Sequence, residues 1–216
     1  MFVGVDEAGK GAVLGPLVVA CVGCESDEDL AGIPVRDSKT LTPAARTDLF
    51  SRITASVHYT VLVIAAGEID SRRRSMTMNQ LMAMAHATVI RELQPAIAYV
   101  DACDVVAPRF GRAVTSHLDI PCRVIAQHHA DATIPVVSAA GIVAKVVRDR
   151  LIRELAEEYG EIGSGYPSDE TTIVFIEDYI GRNGRPPPIA RSSWETTRQI
   201  LCRAEQTDLS FFAHDE

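Results

Sequence analysis

The chain begins with Phe2-Val3-Gly4-Val5-Asp6-Glu7-Ala8-Gly9-Lys10-Gly11, a short apolar run that ends in two adjacent carboxylates and passes straight into a glycine-flanked lysine. The run is too short for a helix and is bounded by turn residues, so it predicts a buried strand. Carboxylates at the end of such a strand need compensation, which a cation supplies. Oxygen ligands of this kind suit Mg²⁺ or Mn²⁺. Glycines beside them let the backbone approach a phosphate or a sugar. The combination points to phosphoryl-transfer chemistry. A P-loop competes for the same residues, because Gly4 and Gly9-Lys10 have its spacing. It fails in context: Gly11 stands where the Mg²⁺-binding hydroxyl belongs, and two acids lie inside the loop. Ala12–Val22, moreover, reads as a second strand punctuated by Gly15 and Pro16, where a P-loop would open a helix.

At 216 residues and 47% hydrophobic, the chain can bury a full core in one domain, with room for a small appendage. No apolar run reaches the length of a membrane span and the start is not a signal peptide, so no membrane partner is expected and the expected compartment is the cytoplasm. Five cysteines without regular spacing fit a reducing compartment better than a disulfide framework. Cys21-x-x-Cys24 has the spacing of half a zinc site, but residues three apart on a strand face opposite sides and no second pair follows.

The net charge of −8 argues superficially against nucleic acid. Distribution matters more than the sum. Arginines cluster at Arg72–Arg74, Arg109/Arg112, Arg148/Arg150/Arg153 and Arg182/Arg185, while acids gather at Glu25–Asp29, Glu154–Glu161 and the C-terminus. Of the 21 basic residues only Lys10, Lys39 and Lys145 are lysines, and each lies in a segment that also carries other functional signals.

Downstream, strands come first and then alternate with helices. Thr42-Pro43 starts a helix to about Thr54, and Val57–Ala66 reads as a strand broken by Gly67-Glu68-Ile69-Asp70. Thr77–Leu93 is a strongly periodic helix stopped by Pro95. Ala96–Val100 is a buried strand ending in Asp101, which repeats the arrangement at Asp6. Pro108–Leu118 predicts a helix, Cys122–Ala126 a strand, and Ile134–Tyr159 the longest helix, stopped by the glycines of Gly160–Gly165. The expected class is α/β: a mixed sheet flanked by helices, with a small helical C-terminal extension. Asp6 and Asp101 would end neighbouring strands, and Asp131 would approach from the entry to the long helix. Open α/β sheets place their sites beyond the carboxyl ends of their strands.

Asp6, Glu7, Asp101 and Asp131 then have a route to one spot, where they could hold two cations that activate a water and stabilise the leaving oxygen of a phosphodiester. Taken singly, Asp131 could cap a helix and Asp101 could end a strand in water. His128-His129 invites a zinc reading, but consecutive residues of an extended segment diverge and no third nitrogen or sulfur ligand lies at useful spacing. His129 could at most assist proton movement.

The segment Gly4–Gly11 resembles the signature of type 2 ribonuclease H (ribonuclease HII), usually written with Arg where Lys10 stands. The resemblance continues through Asp37-Ser38-Lys39, Tyr99-Val100-Asp101-Ala102, Ala130-Asp131 with Val136–Lys145, Gly163–Asp169 and Arg191-Ser192-Ser193-Trp194. These blocks follow the family's order across most of residues 2–198, and the compact form is similar to the archaeal-type branch. The resemblance implies a ribonuclease H-like fold on which Asp6, Glu7, Asp101 and Asp131 are the catalytic carboxylates and hold two Mg²⁺ or Mn²⁺ ions. It implies that Gly9, Lys10, Gly11 and Tyr166 read the 2′-hydroxyl at an RNA–DNA junction, and that Lys39 and Lys145 contact or orient phosphates. The implied activity is hydrolysis of the RNA strand of RNA–DNA hybrids and incision 5′ to single ribonucleotides in duplex DNA, leaving 3′-hydroxyl and 5′-phosphate ends. The expected organisation is a catalytic domain over residues 1–160, a substrate-binding segment over 161–205 packed on it, and a tail over 206–216, in a monomeric protein. The chain departs from the family pattern at Lys10, at His129 where Lys is common, and at Gly141 where Ser is usual; none of these removes a carboxylate.

In the tail, Gln206-x-x-Leu209-x-x-Phe212 with Phe211 adjacent resembles the peptide by which replication enzymes dock on the sliding clamp, although Ala213 takes the place of its second aromatic. Packing back on the body is the alternative use of those side chains. Two functional rivals share much of this pattern. A related ribonuclease H-fold nuclease, such as a junction resolvase, would cut all-DNA substrates, whereas a non-catalytic hybrid- or clamp-binding module would not turn over.

Overall fold

A computed structural model describes residues 1–35 and 42–212, with side chains through residue 206. Strand β1 (Phe2–Ala8) contains both adjacent carboxylates, and β2 (Leu17–Cys24) runs back beside it, antiparallel from Ala8↔Val18 to Phe2↔Cys24. The apolar pattern had placed the start of β2 at Ala12. Gly15, at φ +81°, and Pro16 delay it, because a left-handed residue and a missing N–H cannot continue a ladder. Strands β3 (His58–Ile64), β4 (Ile97–Asp101) and β5 (Arg123–Gln127) complete a five-stranded sheet in the order β3-β2-β1-β4-β5. β4 is parallel to β1 and β5 is parallel to β4, so the sheet is mixed, as expected.

The helices follow their caps. α1 (Pro43–Ser56) starts where the Thr42 hydroxyl accepts the Ala45 N–H at 3.3 Å. α3 (Met78–Leu93) opens with a reciprocal capping box between Thr77 and Gln80 and closes on Gln94 in the left-handed region. Between β3 and α3, where the sequence suggested only a break, α2 (Ala66–Arg72) buries Ala66 and Ile69 on one side. The acidic loop likewise contains a 3₁₀ turn, Asp27–Leu30, that buries Leu30. α4 (Ala107–Thr115), α5 (Ala130–Thr133), α6 (Pro135–Tyr159), α7 (Glu170–Asn183) and α8 (Glu195–Phe212) complete the described chain. Among the described residues, no helix is long and apolar enough to cross a membrane.

Two compact units divide the chain, each assembled from separated segments. The first comprises Met1–Ala8, Val18–Val63 and Met76–Arg148. Its core includes Val3, Val5, Val22, Leu81, Ile90 and Val100, all buried. The N-terminal half of α6 lies directly on β1. A Cβ on Gly4 would come under 3.0 Å from the backbone of Val136 and Val137, so only glycine admits the helix at this distance. The second unit comprises Gly9–Leu17, Ile64–Ser75 and Asp149–Glu216. Its core joins Val13, Leu14, Ile152, Ile162, Ile176, Ile180 and Ile200. Buried Thr172 ties this unit internally, its hydroxyl accepting the Gly165 N–H at 2.9 Å and donating to the Ile162 carbonyl at 3.0 Å.

Candidate active site

All four carboxylates singled out in the sequence belong to the first unit. Asp6 and Glu7 occupy the last turn of the pleat in β1, Asp101 ends β4, and Asp131 sits in α5 just before α6. The parallel register pairs Val5 with Val100, and continuing it by one residue sets Asp6 beside Asp101. Local hydrogen bonds hold the Asp6 and Asp101 carboxylates and the backbone at Asp131. Asp6 Oδ1 accepts the Glu7 N–H at 2.7 Å, and Asp101 Oδ1 accepts the Ala130 N–H at the start of α5 at 2.8 Å. The hydroxyl of buried Ser138, on α6, donates to the Asp131 carbonyl.

Successive strand residues point to opposite faces, and the partners of the two β1 acids follow that rule. Asp6 lies against α6, where a Cβ on Gly141 would fall under 3.0 Å from its Oδ2. Glu7 instead meets α3 and the segment after β4: its Oε2 is 3.4 Å from His86 Nε2, and the Cys103 thiol donates to its Oε1 at 3.2 Å. That segment is pinned by Asp104, which accepts from Arg109, from the Val106 N–H at 2.9 Å and from Asn79 at 3.3 Å. The Arg109 hydrogen bonds are the main reason that the Asp104 carboxyl is held down to about 2.

Burial first, then the charge of Glu7, pushes the Asp6 carboxyl well above the usual carboxylate range; the charges of Asp101 and Asp131 push the same way, and the Glu7 N–H alone opposes them. Glu7, Asp101 and Asp131 therefore lie close enough to Asp6 to disfavour its ionisation. That is the electrostatic signature of an anionic pocket built for positive charge.

The glycine-flanked lysine belongs to the second unit. The Gly9 N–H donates to the Tyr166 hydroxyl at 3.1 Å, and the Val13 and Leu14 N–H groups both donate to the Gly165 carbonyl, at 2.9 and 3.1 Å. Gly165 has φ +82° and Gly9 has φ +88°, conformations for which glycine is the natural residue. Arg191 is completely buried beneath this loop. Its guanidinium donates to the carbonyls of Gly9 at 2.7 Å, of Lys10 at 3.0 Å and of Gly15 at 3.2 Å, and its charge lies 4.9 Å from the centre of the Trp194 ring. In the same unit Asp70 of α2 accepts from the N–H groups of Ser192 and Ser193, at 2.7 and 3.1 Å, and so fixes the segment that carries Arg191.

The family model for ribonuclease HII matches residues 3–197. The chain belongs to the ribonuclease HII family. It is 53% identical over 212 residues to the ribonuclease HII of Methanoregula boonei, covering 98% of this chain and 100% of that one. Among solved structures, the ribonuclease H2 of Pyrococcus horikoshii superposes with a TM-score of 0.88 at 43% identity, over 95% of this chain and 99% of that one. The structure of the PCNA:RNase HII complex from Archaeoglobus fulgidus matches with a TM-score of 0.86 at 40% identity, over 93% of this chain and 96% of that one. Membership makes the chain a ribonuclease H, a metal-dependent hydrolase, and the sheet and its helices are the ribonuclease H-like fold.

Against the ribonuclease HII pattern, Asp6, Glu7, Asp101 and Asp131 come together in one unit, with Lys145 one helical turn beyond Gly141 on α6. Gly9, Lys10, Gly11 and Tyr166 come together in the other. Lys39 lies outside the described residues. Gln206 is exposed on α8, whose backbone continues through the positions of Leu209, Phe211 and Phe212. His129 takes a left-handed conformation, φ 56°, as the residue before α5, and its side chain is exposed. Four residues escaped the sequence reading as members of these sites: Asp70, His86, Cys103 and Arg191. Arg191 stood within a motif that carried the resemblance, but nothing nearby in sequence announces partners at Gly9 and Lys10.

Proposed function

We propose that the chain hydrolyses the RNA strand of RNA–DNA hybrids and incises 5′ to single ribonucleotides in duplex DNA, with Asp6, Glu7, Asp101 and Asp131 as the catalytic carboxylates. The observation that carries this reading is the convergence of Glu7, Asp101 and Asp131 on Asp6 in a member of the ribonuclease HII family. The donor set fits hard divalent cations. It is all oxygen, and a cation among the acids removes the repulsion that opposes ionisation of Asp6. When bound, two Mg²⁺ or Mn²⁺ ions supply an activated water and charge stabilisation at the departing 3′-oxygen. The protein's own part is orientation. Ala130 holds Asp101 and the Glu7 N–H holds Asp6, and Gly141 leaves room for the Asp6 carboxylate on the α6 side.

Recognition of the ribonucleotide is assigned to Gly9, Lys10, Gly11 and Tyr166. A phenol can accept and donate hydrogen bonds, which suits it to a 2′-hydroxyl, and the Gly9–Tyr166 hydrogen bond fixes the two relative to each other. Lys39 and Lys145 would contact phosphates. The tail residues Gln206, Leu209, Phe211 and Phe212 are proposed to dock on the sliding clamp, a reading supported by the Archaeoglobus fulgidus complex at 40% identity. The protein would act as a monomer in the cytoplasm.

The test is incubation of the purified protein, with Mg²⁺, with Mn²⁺ and with chelator, on a DNA duplex containing one ribonucleotide and on its all-DNA counterpart. A single metal-dependent nick 5′ to the ribonucleotide is expected, with the all-DNA duplex intact. Cutting of both duplexes would replace this reading with a general nuclease, and binding without any cut would replace it with a non-catalytic module.

A further inference from the structure

The face of β1 that carries Glu7 holds two donors that the nuclease chemistry does not use. His86, on α3, is 0% exposed, and neither of its ring nitrogens has a hydrogen-bond partner among the described residues. Buried polar atoms are almost always satisfied, so an imidazole in this state beside a carboxylate calls for an explanation. Phe110 packs edge-on against the ring with centroids 5.1 Å apart, so apolar contact fixes the imidazole while its Nε2 lies 3.4 Å from Glu7 Oε2. On the other side of Glu7, the Cys103 sulfur is 3.2 Å from Oε1. One donor atom from each of Glu7, His86 and Cys103 can be chosen so that all lie within 4.8 Å of one another.

We propose that Glu7, His86 and Cys103 form a site for a borderline-soft divalent cation, Zn²⁺ above all, and that its occupation draws Glu7 away from the hard-metal cluster and inhibits the nuclease. The ligand types decide between metals. Nitrogen and sulfur together suit zinc, whereas Mg²⁺ and Mn²⁺ favour oxygen, so an imidazole–thiolate pair selects zinc over the ions that the four acids would hold. Tetrahedral zinc with bonds of about 2.0–2.3 Å sets its ligand atoms roughly 3.2–3.7 Å apart. His86 Nε2 and the Cys103 sulfur lie 3.4 and 3.2 Å from different oxygens of Glu7, and a set of one atom from each residue, within 4.8 Å of one another, reaches tetrahedral spacing by small side-chain rotations. Three protein ligands leave the fourth position to water, and the thiol gives up its proton to solvent as the metal binds. Glu7 and Cys103 are only partly buried, which leaves a way in beside the enclosed imidazole. Binding at the site stands independently of the proposed function; inhibition rests on Glu7 belonging to the catalytic set.

The experiment uses the full-length protein stripped of metal. Co²⁺, which tolerates the same ligands, is titrated as the probe, and the thiolate-to-cobalt absorption is read. Zn²⁺ affinity then follows from competition with a chromophoric chelator. One equivalent of thiolate-bound Co²⁺, displaced by Zn²⁺, is expected for the wild type. Cys103→Ser, which keeps a hydrogen-bond donor for Glu7, should lose the absorption and bind Zn²⁺ at least about tenfold more weakly. His86→Gln and His86→Ala should weaken Zn²⁺ binding comparably, two variants being used because the ring is enclosed. No thiolate absorption in the wild type, or an absorption that survives Cys103→Ser, overturns the site. Wild-type zinc affinity in both His86 variants does the same. In Mg²⁺, zinc should inhibit the wild type at concentrations that Cys103→Ser resists, each enzyme being compared with its own zinc-free rate. Tight zinc binding without inhibition would overturn the regulatory consequence. Glu7→Gln assayed in Mg²⁺ alone reads separately whether Glu7 belongs to the catalytic set.

Discussion

At Asp6, burial and the charges of Glu7, Asp101 and Asp131 all favour the protonated carboxyl, and only the Glu7 N–H pulls the other way. Because the folded-state value is raised, the folded protein binds the proton more readily than the unfolded chain does. Stability linked to that proton is complete below the ordinary carboxylate range and is lost as pH rises through the raised value. In chelator at pH 7, where folding carries the cost of the raised Asp6 carboxyl, Asp6→Asn should have the higher Tm. The gap should close as the pH falls toward about 4, where unperturbed carboxylates protonate. The same substitution should lower metal-supported cleavage by about 10³-fold, since several kcal/mol of charge stabilisation depend on the ligand set. Thermal scans across pH and a cleavage assay check both halves. A variant with near wild-type turnover would remove Asp6 from the catalytic set.

β1 and α6 are joined through two glycines with different tolerances. At Gly4 the neighbours of an added Cβ are the backbone atoms of Val136 and Val137, which cannot yield without moving the helix. At Gly141 the nearest neighbour is the end of the Asp6 side chain, which can rotate. Gly4→Ala should therefore destabilise the fold by about 1–3 kcal/mol or more, as overpacking does. Gly141→Ala should fold at least as well as the wild type, because alanine is the better helix former by about 1 kcal/mol, yet should lose at least tenfold in activity as the Asp6 carboxylate is displaced. Denaturant melts and cleavage rates on the two variants separate these outcomes. The same elements mark how far the sequence could be read. Thr42 and Thr77 announced α1 and α3 because caps are local chemistry, and the strand-ending acids Asp6 and Asp101 announced the pocket. α2 was hidden by Gly67, a poor helix former whose segment is held by burial of Ala66 and Ile69. His86 read as one more position on an apolar helix face, since its partner Glu7 lies on a different element and no local spacing connects them.

Across the whole molecule, a chain with net charge −8 must meet a polyanion. Overall charge repels the substrate, so binding has to rest on local cations and, by proposal, on metal ions and on tethering by the tail. Tethering raises local concentration without touching chemistry. Deleting residues 206–216 should abolish clamp binding in a pull-down or calorimetric titration, while hydrolysis of short hybrids in the absence of clamp stays within about twofold. Unaltered clamp affinity in the truncated protein would end that assignment. The domain-scale reading of the sequence was bounded by contiguity. Each compact unit collects three separated segments, and only long-range pairings such as Leu14 with Ala190 reveal that residues 9–17 share a unit with the C-terminal helices.

One such pairing sets an order of events during synthesis. The carbonyls of Gly9 and Lys10 are synthesised 182 and 181 residues ahead of the guanidinium that satisfies them. At about 5–20 residues per second, that interval lasts roughly 10–40 s. Throughout it the nascent loop lacks the Arg191 clasp, however early β1 and β2 find each other. A message that stops short of Arg191 therefore encodes all four carboxylates but not the clasp on the loop expected to recognise the ribonucleotide. The shape of the loop proposed to select the substrate is therefore completed only after all four carboxylates have been made.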